Sequence, residues 1–295
     1  MNLVVNLNKR HSITSHDAVA EAKRVFKVRK AGHAGTLDPL ATGILLVCLN
    51  EATKITGFLS DLDKEYIMTA KFGESTDTYD SEGAVTGQTA GFSLTLDDVK
   101  KSIAKFIGEI EQIPPMHSAI KVSGTPLYKI ARKGVEIERR PRKVVIGEIE
   151  VLGFDSPFLT LRVSCSKGTY IRSLCNDLGN DLGVGAHVTG LVRTRVGNFT
   201  IEDSAGIDEL PHKTSALHSI DSTLGHLQEI VLDPEEYRRA QNGNPVARET
   251  PPIPPLARGG VRGGAHVRLK SPGGRLFAIG KTAEGSIKIE RLFKI

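Results

Sequence analysis

Cysteine is scarce: only Cys48, Cys165 and Cys175 occur in 295 residues. Three thiols are too few, and odd in number, for a disulfide framework. Reduced, buried cysteines in a cytoplasmic protein are expected instead. No run of about 18 apolar residues occurs, which excludes a membrane-spanning helix. The opening stretch MNLVVNLNKRHS lacks an apolar core of about 7–15 residues behind a basic start, so no secretory leader is expected. A phosphate-binding loop ending in Gly-Lys-Ser/Thr is missing, and so is the dinucleotide pattern Gly-x-Gly-x-x-Gly. No Cys-x-x-Cys occurs, and no histidine pair stands at ligand spacing in a carboxylate cluster, so no metal site is expected.

What is present is an ordinary globular balance, 39% apolar and 25% charged. The length suits one large domain plus a small one, or two domains. The net charge is only +5, but it is unevenly placed. Residues 114–143 hold eight cations against two acids, and residues 232–295 hold twelve against six, so each stretch carries +6 on a mildly acidic body. Two separate basic stretches suggest a polyanion gripped at two places, although a charge run also serves as a solvated face.

Thr14 with Asp17 has the form of a capping box, and Val19, Ala22, Val25 and Phe26 follow at helical spacing. Thr95 with Asp98 opens a second such helix. Residues 32–43 read as a loop, 44–49 as a buried strand, 51–59 as a helix and 66–72 as a strand. Residues 144–154 and 158–166 read as paired strands, 172–182 as a helix ending at Gly183, and 192–200 as a strand. The Pro/Gly-rich stretch 242–264 reads as a linker or a loop, followed by short strands at 266–270, 276–281 and 286–293. Strands and helices mix without regular alternation, so the class is α+β.

Three stretches offer chemistry. The loop Gly32–Gly43 presents Asp38 between Leu37 and Pro39. It reads either as an exposed carboxylate or as a turn residue bonding its own backbone. Ser164–Arg172 runs from a strand end into a helix start and offers two cations and a tyrosine, a place where function often sits. Lys64-Glu65-Tyr66 opens a strand, where a tyrosine also serves plain packing.

The string Ala31-Gly32-His33-Ala34-Gly35-Thr36-Leu37-Asp38-Pro39-Leu40-Ala41-Thr42-Gly43 resembles the signature of the TruB family of pseudouridine synthases. Lys64-Glu65-Tyr66, Ile113-Pro114-Pro115-Met116-His117-Ser118-Ala119 and Cys165 through Arg172 follow in matching order. The resemblance covers most of residues 1–200. It implies a mixed or antiparallel-sheet catalytic domain over residues 1–230, with an RNA-gripping insertion at about 114–143. The tail, through Gly274–Gly280, is similar to a PUA module, which implies a small β-rich RNA-binding domain over 231–295.

The implied activity is isomerisation of uridine to pseudouridine at position 55 in the T-arm of tRNA, by a cytoplasmic, monomeric enzyme. By the same resemblance Asp38 is the catalytic carboxylate, Arg172 its paired cation and Tyr66 the ring stacked on the target base. His33 fills the gap the base leaves, Tyr170 and Leu191 wall the pocket, and Lys129, Arg132 and Lys133 grip the RNA. The reaction breaks the glycosidic C–N bond and joins C5 to the same sugar carbon, so no cofactor is needed. Asp38 serves it as a nucleophile toward C1′ or C6, or as a base on a sugar proton. Base flipping costs roughly a few kcal/mol, and stacking on an aromatic ring returns about 1–3 kcal/mol. Two other readings compete: a non-catalytic tRNA-binding or remodelling protein, and a nucleoside hydrolase. A hydrolase usually needs paired carboxylates or a metal to handle water, and no second acid is tied to this loop by motif.

Overall fold

The computed structural model describes residues 1–122, 124–131, 133–248 and 265–294. Most of the stretch read as a linker, 249–264, lies outside the described residues, as does Arg132.

Ten strands form the main sheet: β1 (Leu3–Lys9), β2 (Ala31–Ala34), β3 (Thr42–Leu49), β4 (Lys64–Phe72), β5 (Gly108–Gln112), β6 (Arg142–Asp155), β7 (Phe158–Cys165), β8 (Ala186–Val196), β9 (Phe199–Thr200) and β10 (Leu217–Ser219). Their order is β10-β1-β3-β8-β4-β7-β6-β5, with β2 paired to β3 and β9 to β8. Every pairing is antiparallel except one. β3 and β8 run parallel for two residues, Thr42 beside Val192 and Gly43 beside Arg193. This seam joins the two halves of the sheet, and the candidate site lies over it.

Helix α1 (Ser15–Val25) starts at the expected capping box, Thr14 and Asp17 bonding each other's backbone amides. Its face of Ala18, Val19 and Ala22 is buried in the core with Leu45, Val47 and Leu49 of β3. The alternate residues Ile44, Leu46 and Cys48 face a second cluster on the other side. Burial on both faces explains why β3 reads as an unbroken apolar run. β4 instead alternates strictly between buried and half-buried residues, the signature of a strand covered more fully on one face. Helix α2 (Leu96–Ile103) starts at the capping box of Thr95 and Asp98. Helix α3 (Leu127–Ala131) belongs to the basic insertion, with a short ribbon of Lys121–Val122 and Thr125–Pro126. Helix α4 (Ile171–Asp181) follows β7 and ends at Gly183, whose φ of +71° suits a glycine.

A second sheet contains β11 (Gln228–Val231), β12 (Val246–Ala247), β13 (His266–Lys270), β14 (Leu276–Ala283) and β15 (Ser286–Leu292), in the order β11-β13-β14-β15-β12. It docks on the back of the main sheet. Leu276, Ile279 and Phe293 bury themselves among Val4, Ile44, Leu46 and Leu59. Lys54 donates to the Leu292 carbonyl at 2.6 Å, and the Lys294 amide donates to Glu51 at 2.8 Å.

Two expectations change. The stretch 32–43 is not all loop, because its first residues form β2 against β3 and its last two begin β3. The strand expected at 192–200 starts six residues earlier and breaks at Gly197. Bulges at Val188/Gly190 and Arg193/Arg195 shift its side-chain phase, so no alternation marks it in the sequence.

Candidate active site

A cavity of about 230 Å³ opens over the seam. Asp38, Tyr66, Tyr170, Arg172 and Leu191 all line it, together with Lys64, Arg193 and residues 118–119 at the root of the basic insertion. The structure thus gathers five of the residues expected from sequence, drawn from the β2–β3 loop, β4, the start of α4 and β8.

The loop carrying Asp38 is fixed at nearly every carbonyl. Arg193 Nη2 donates to the Gly35 carbonyl at 3.1 Å and Nη1 to that of Thr36 at 3.4 Å. Ser15 Oγ donates to the Leu37 carbonyl and accepts from the Leu37 amide, both at 2.8 Å. Lys9 Nζ and the Ser12 amide both donate to the Pro39 carbonyl, at 3.3 and 3.0 Å. Leu37, Leu40 and Ala41 are buried beneath. What this scaffold leaves free is the Asp38 carboxylate, 35% exposed at its side chain.

Arg172 answers it from the second residue of α4. Its Nε lies 2.8 Å from Asp38 Oδ2, an ion pair without the alignment of a hydrogen bond. Nη1 donates to the Thr78 carbonyl at 2.7 Å and Nη2 to the His117 carbonyl at 2.8 Å. Nη1 also lies 3.3 Å from Asp80 Oδ2, and both of those side chains are 4% exposed. Asp80 is in turn held by the Thr78 hydroxyl at 2.6 Å and the Glu82 amide at 3.1 Å. The start of α4 is clamped from β5. Gln112 Oε1 accepts from the Tyr170 amide at 2.7 Å, and Gln112 Nε2 donates to the Tyr170 carbonyl at 3.0 Å. Guanidinium position is therefore set by two loops and a strand end, not by α4 alone.

Tyr66 and Arg193 are cross-strand partners on β4 and β8. Burial raises the Tyr66 phenol above its ordinary pKa, and the Arg193 cation offsets part of that rise. Burial pushes Lys64 down to about 8; its ammonium donates to the Ser60 and Leu62 carbonyls. Burial, then the nearby Arg193 cation, lowers His33 as well. Tyr170 is raised by burial.

His33 stands on β2, outside the cavity lining, with a buried Nδ1 that has no partner among the described residues. Lys129 and Lys133 are exposed on and after α3 and do not reach the cavity. Arg132 lies outside the described residues. Sequence reasoning missed Lys9, Ser15, Asp80 and Arg193. Asp80 hides in an acidic turn-rich stretch, and a bulged strand hides Arg193. Among the described residues, no group of three or more His, Cys, Asp or Glu side chains is arranged to hold a metal ion. No described helix is long and apolar enough to cross a membrane.

The arrangement suits chemistry on a planar base. One carboxylate is exposed to the cavity and held by a buried cation, an aromatic ring and a leucine flank it, and cations surround it. Comparison with known proteins points the same way. Residues 23–171 match the N-terminal domain of TruB family pseudouridylate synthases, and residues 172–237 match the C-terminal domain of tRNA pseudouridylate synthase B. A tRNA pseudouridine synthase B of Dechloromonas aromatica is 43% identical over 96% of this chain and 92% of its own. That of Cupriavidus metallidurans is 39% identical over 99% of this chain and 94% of its own. Among solved structures, a chain of a Cbf5–Nop10–Gar1 complex superposes with a TM-score of 0.73 at 27% identity, covering 98% of this chain and 84% of its own.

Proposed function

From the premise that the chain belongs to the TruB family of pseudouridylate synthases, we propose that it isomerises one uridine in the T-arm of tRNA, at position 55, with Asp38 as the reacting carboxylate. The chain is a tRNA pseudouridine synthase, an isomerase. The observation that carries the residue assignment is the Asp38–Arg172 pair: a half-open carboxylate set against a guanidinium that the protein itself immobilises.

In the reaction the C1′–N1 bond breaks, the base turns, C1′–C5 forms, the C5 proton leaves and N1 takes up a proton. Substrate and product are isomers, so nothing is consumed. Asp38 acts as nucleophile at C1′ or C6, or as base on a sugar proton, and each role requires an unprotonated, fixed carboxylate. Arg172 orients it, and the fork geometry of a guanidinium suits four simultaneous partners better than an ammonium does. The target base reaches the cavity only when flipped from the RNA stack. Tyr66 then stacks on it, Leu191 and Tyr170 close the walls, and His33 occupies the vacated place. Lys129, Arg132 and Lys133 hold the stem-loop backbone. The enzyme works as a cytoplasmic monomer.

The test is incubation with an unmodified tRNA transcript and mapping of pseudouridine by site. A single product in the T-arm loop supports the reading, and an isolated T-arm stem-loop should also be converted. Free uracil, or no product, refutes it.

A further inference from the structure

Five cations crowd into eight residues where α1 ends: Lys23, Arg24, Lys27, Arg29 and Lys30. All five are exposed, and none lies within ion-pair distance of a carboxylate among the described residues. The nearby acid, Glu21, is already taken by a two-bond pair with Arg10.

The cluster continues a stripe. His16, Ala20, Lys23 and Lys27 recur at helical spacing and are all exposed, while Ala18, Val19 and Ala22 bury the opposite face. From His16 to Lys27 the stripe runs about 16 Å at the helical rise. It begins at the catalytic loop, because Ser15 bonds Leu37. At its far end the chain turns into β2, and His33 follows Lys30 by three residues, about 10 Å along a strand. Exposed basic residues therefore follow the chain from the helix that holds the Asp38 loop to the strand of His33.

Helix capping explains only part of it. Lys23 and Arg24 in the last turn suit the negative end of the helix dipole. Lys27, Arg29 and Lys30 lie beyond the helix. Lys27 has a φ of +49°, with its amide bonded to the Arg24 carbonyl and the Val28 amide to the Lys23 carbonyl, each at 3.2 Å. This is the helix-ending turn in which glycine is favoured. The chain keeps a lysine there, although that side chain has no partner among the described residues.

We propose that this face binds the phosphodiester backbone of the tRNA strand flanking the flipped nucleotide. The proposal rests on the reading of the chain as a synthase that draws a base past His33 into the cavity. Its chemistry is that of a polyanion site: five exposed lysines and arginines with no carboxylate partner among the described residues, beside an exposed His16 and a small Ala20. Such contacts set the register of the RNA and read no sequence.

The experiment uses the full chain and the variant Lys27→Gly/Arg29→Ala/Lys30→Ala, with an unmodified tRNA transcript titrated at several salt concentrations. Glycine fits the positive φ, so the melting temperature should hold. The affinity should fall roughly tenfold or more, and the slope of log K against log salt should flatten by roughly 2–3. Turnover at saturating tRNA should stay within about twofold, since contacts that only position the RNA act on binding. Failure of the unaltered protein to make pseudouridine overturns the functional reading itself. Normal conversion by the unaltered protein, combined with unchanged affinity or an unchanged salt slope in the variant, overturns the proposed backbone site.

Discussion

Asp80 Oδ2 sits 3.3 Å from Arg172 Nη1, so the cation that meets Asp38 through Nε is anchored to a second carboxylate through another nitrogen. Asp80→Asn keeps the shape and removes the charge. Loss of one partner of a buried pair also destabilises, by about 3–5 kcal/mol. A small misplacement of Arg172 should slow single-turnover pseudouridine formation at saturating tRNA by roughly tenfold to a hundredfold. The dissociation constant for tRNA should change only a few-fold. An Asp80→Asn protein that is folded and fully active would remove Asp80 from the account.

Arg193 is 1% exposed and has no carboxylate partner among the described residues. Its guanidinium donates to the carbonyls of Ile44, Gly35 and Thr36. Arg193→Met strands three acceptors at about 1–3 kcal/mol for each one left buried, and it releases the loop that aims Asp38. Single-turnover rate should fall more than tRNA affinity, with Arg193→Lys between the two. Equal losses in rate and affinity would mean that Arg193 contacts RNA instead of holding the loop.

Burial pushes both Lys64 and Lys9 down to about 8 from an ordinary 10.5. Between those two pH values the unfolded chain binds more protons than the folded one. The contribution of these lysines to stability therefore rises with pH, by up to about 1.4 kcal/mol per pH unit for each. Below pH 8 both states are charged and the contribution is flat. Urea midpoints from pH 7 to 10 should show the wild type gaining on Lys64→Met only above about pH 8. Parallel curves would show that Lys64 does not titrate there.

Much of this architecture is legible in the residues themselves. The capping boxes at Thr14 and Thr95, the alternation of β4 and the apolar run of β3 all carry local signals that the fold honours. The Asp38 loop is legible only through its resemblance to the TruB signature, since its residue types alone also read as a turn. Asp80 and Arg193 are not, because their roles exist only across the sheet: Asp80 bridges to Val188 and reaches Arg172 from a turn, and Arg193 reaches back 158 positions to Gly35. The docking of the second sheet on Ile44 and Leu46 is likewise a long-range fact.

That docking makes the tail structural as well as basic. Phe293 is buried with Leu276 and Ile279 against the back of β1 and β3. Phe293→Ala should destabilise the protein by about 3–5 kcal/mol, and removal of the tail from residue 232 should expose Val4, Ile44 and Leu46 and promote aggregation. Calorimetry decides: separate, unshifted transitions for the two sheets would show that the contact contributes nothing.

The most direct test of the account is single-turnover formation of pseudouridine on an unmodified tRNA transcript, mapped by site, with the wild-type protein and with Asp38→Asn. The wild type should yield one pseudouridine in the T-arm loop. Asp38→Asn should yield none while binding the transcript within a few-fold of the wild type. Turnover by Asp38→Asn at a rate near that of the wild type would contradict the assignment of the reacting carboxylate.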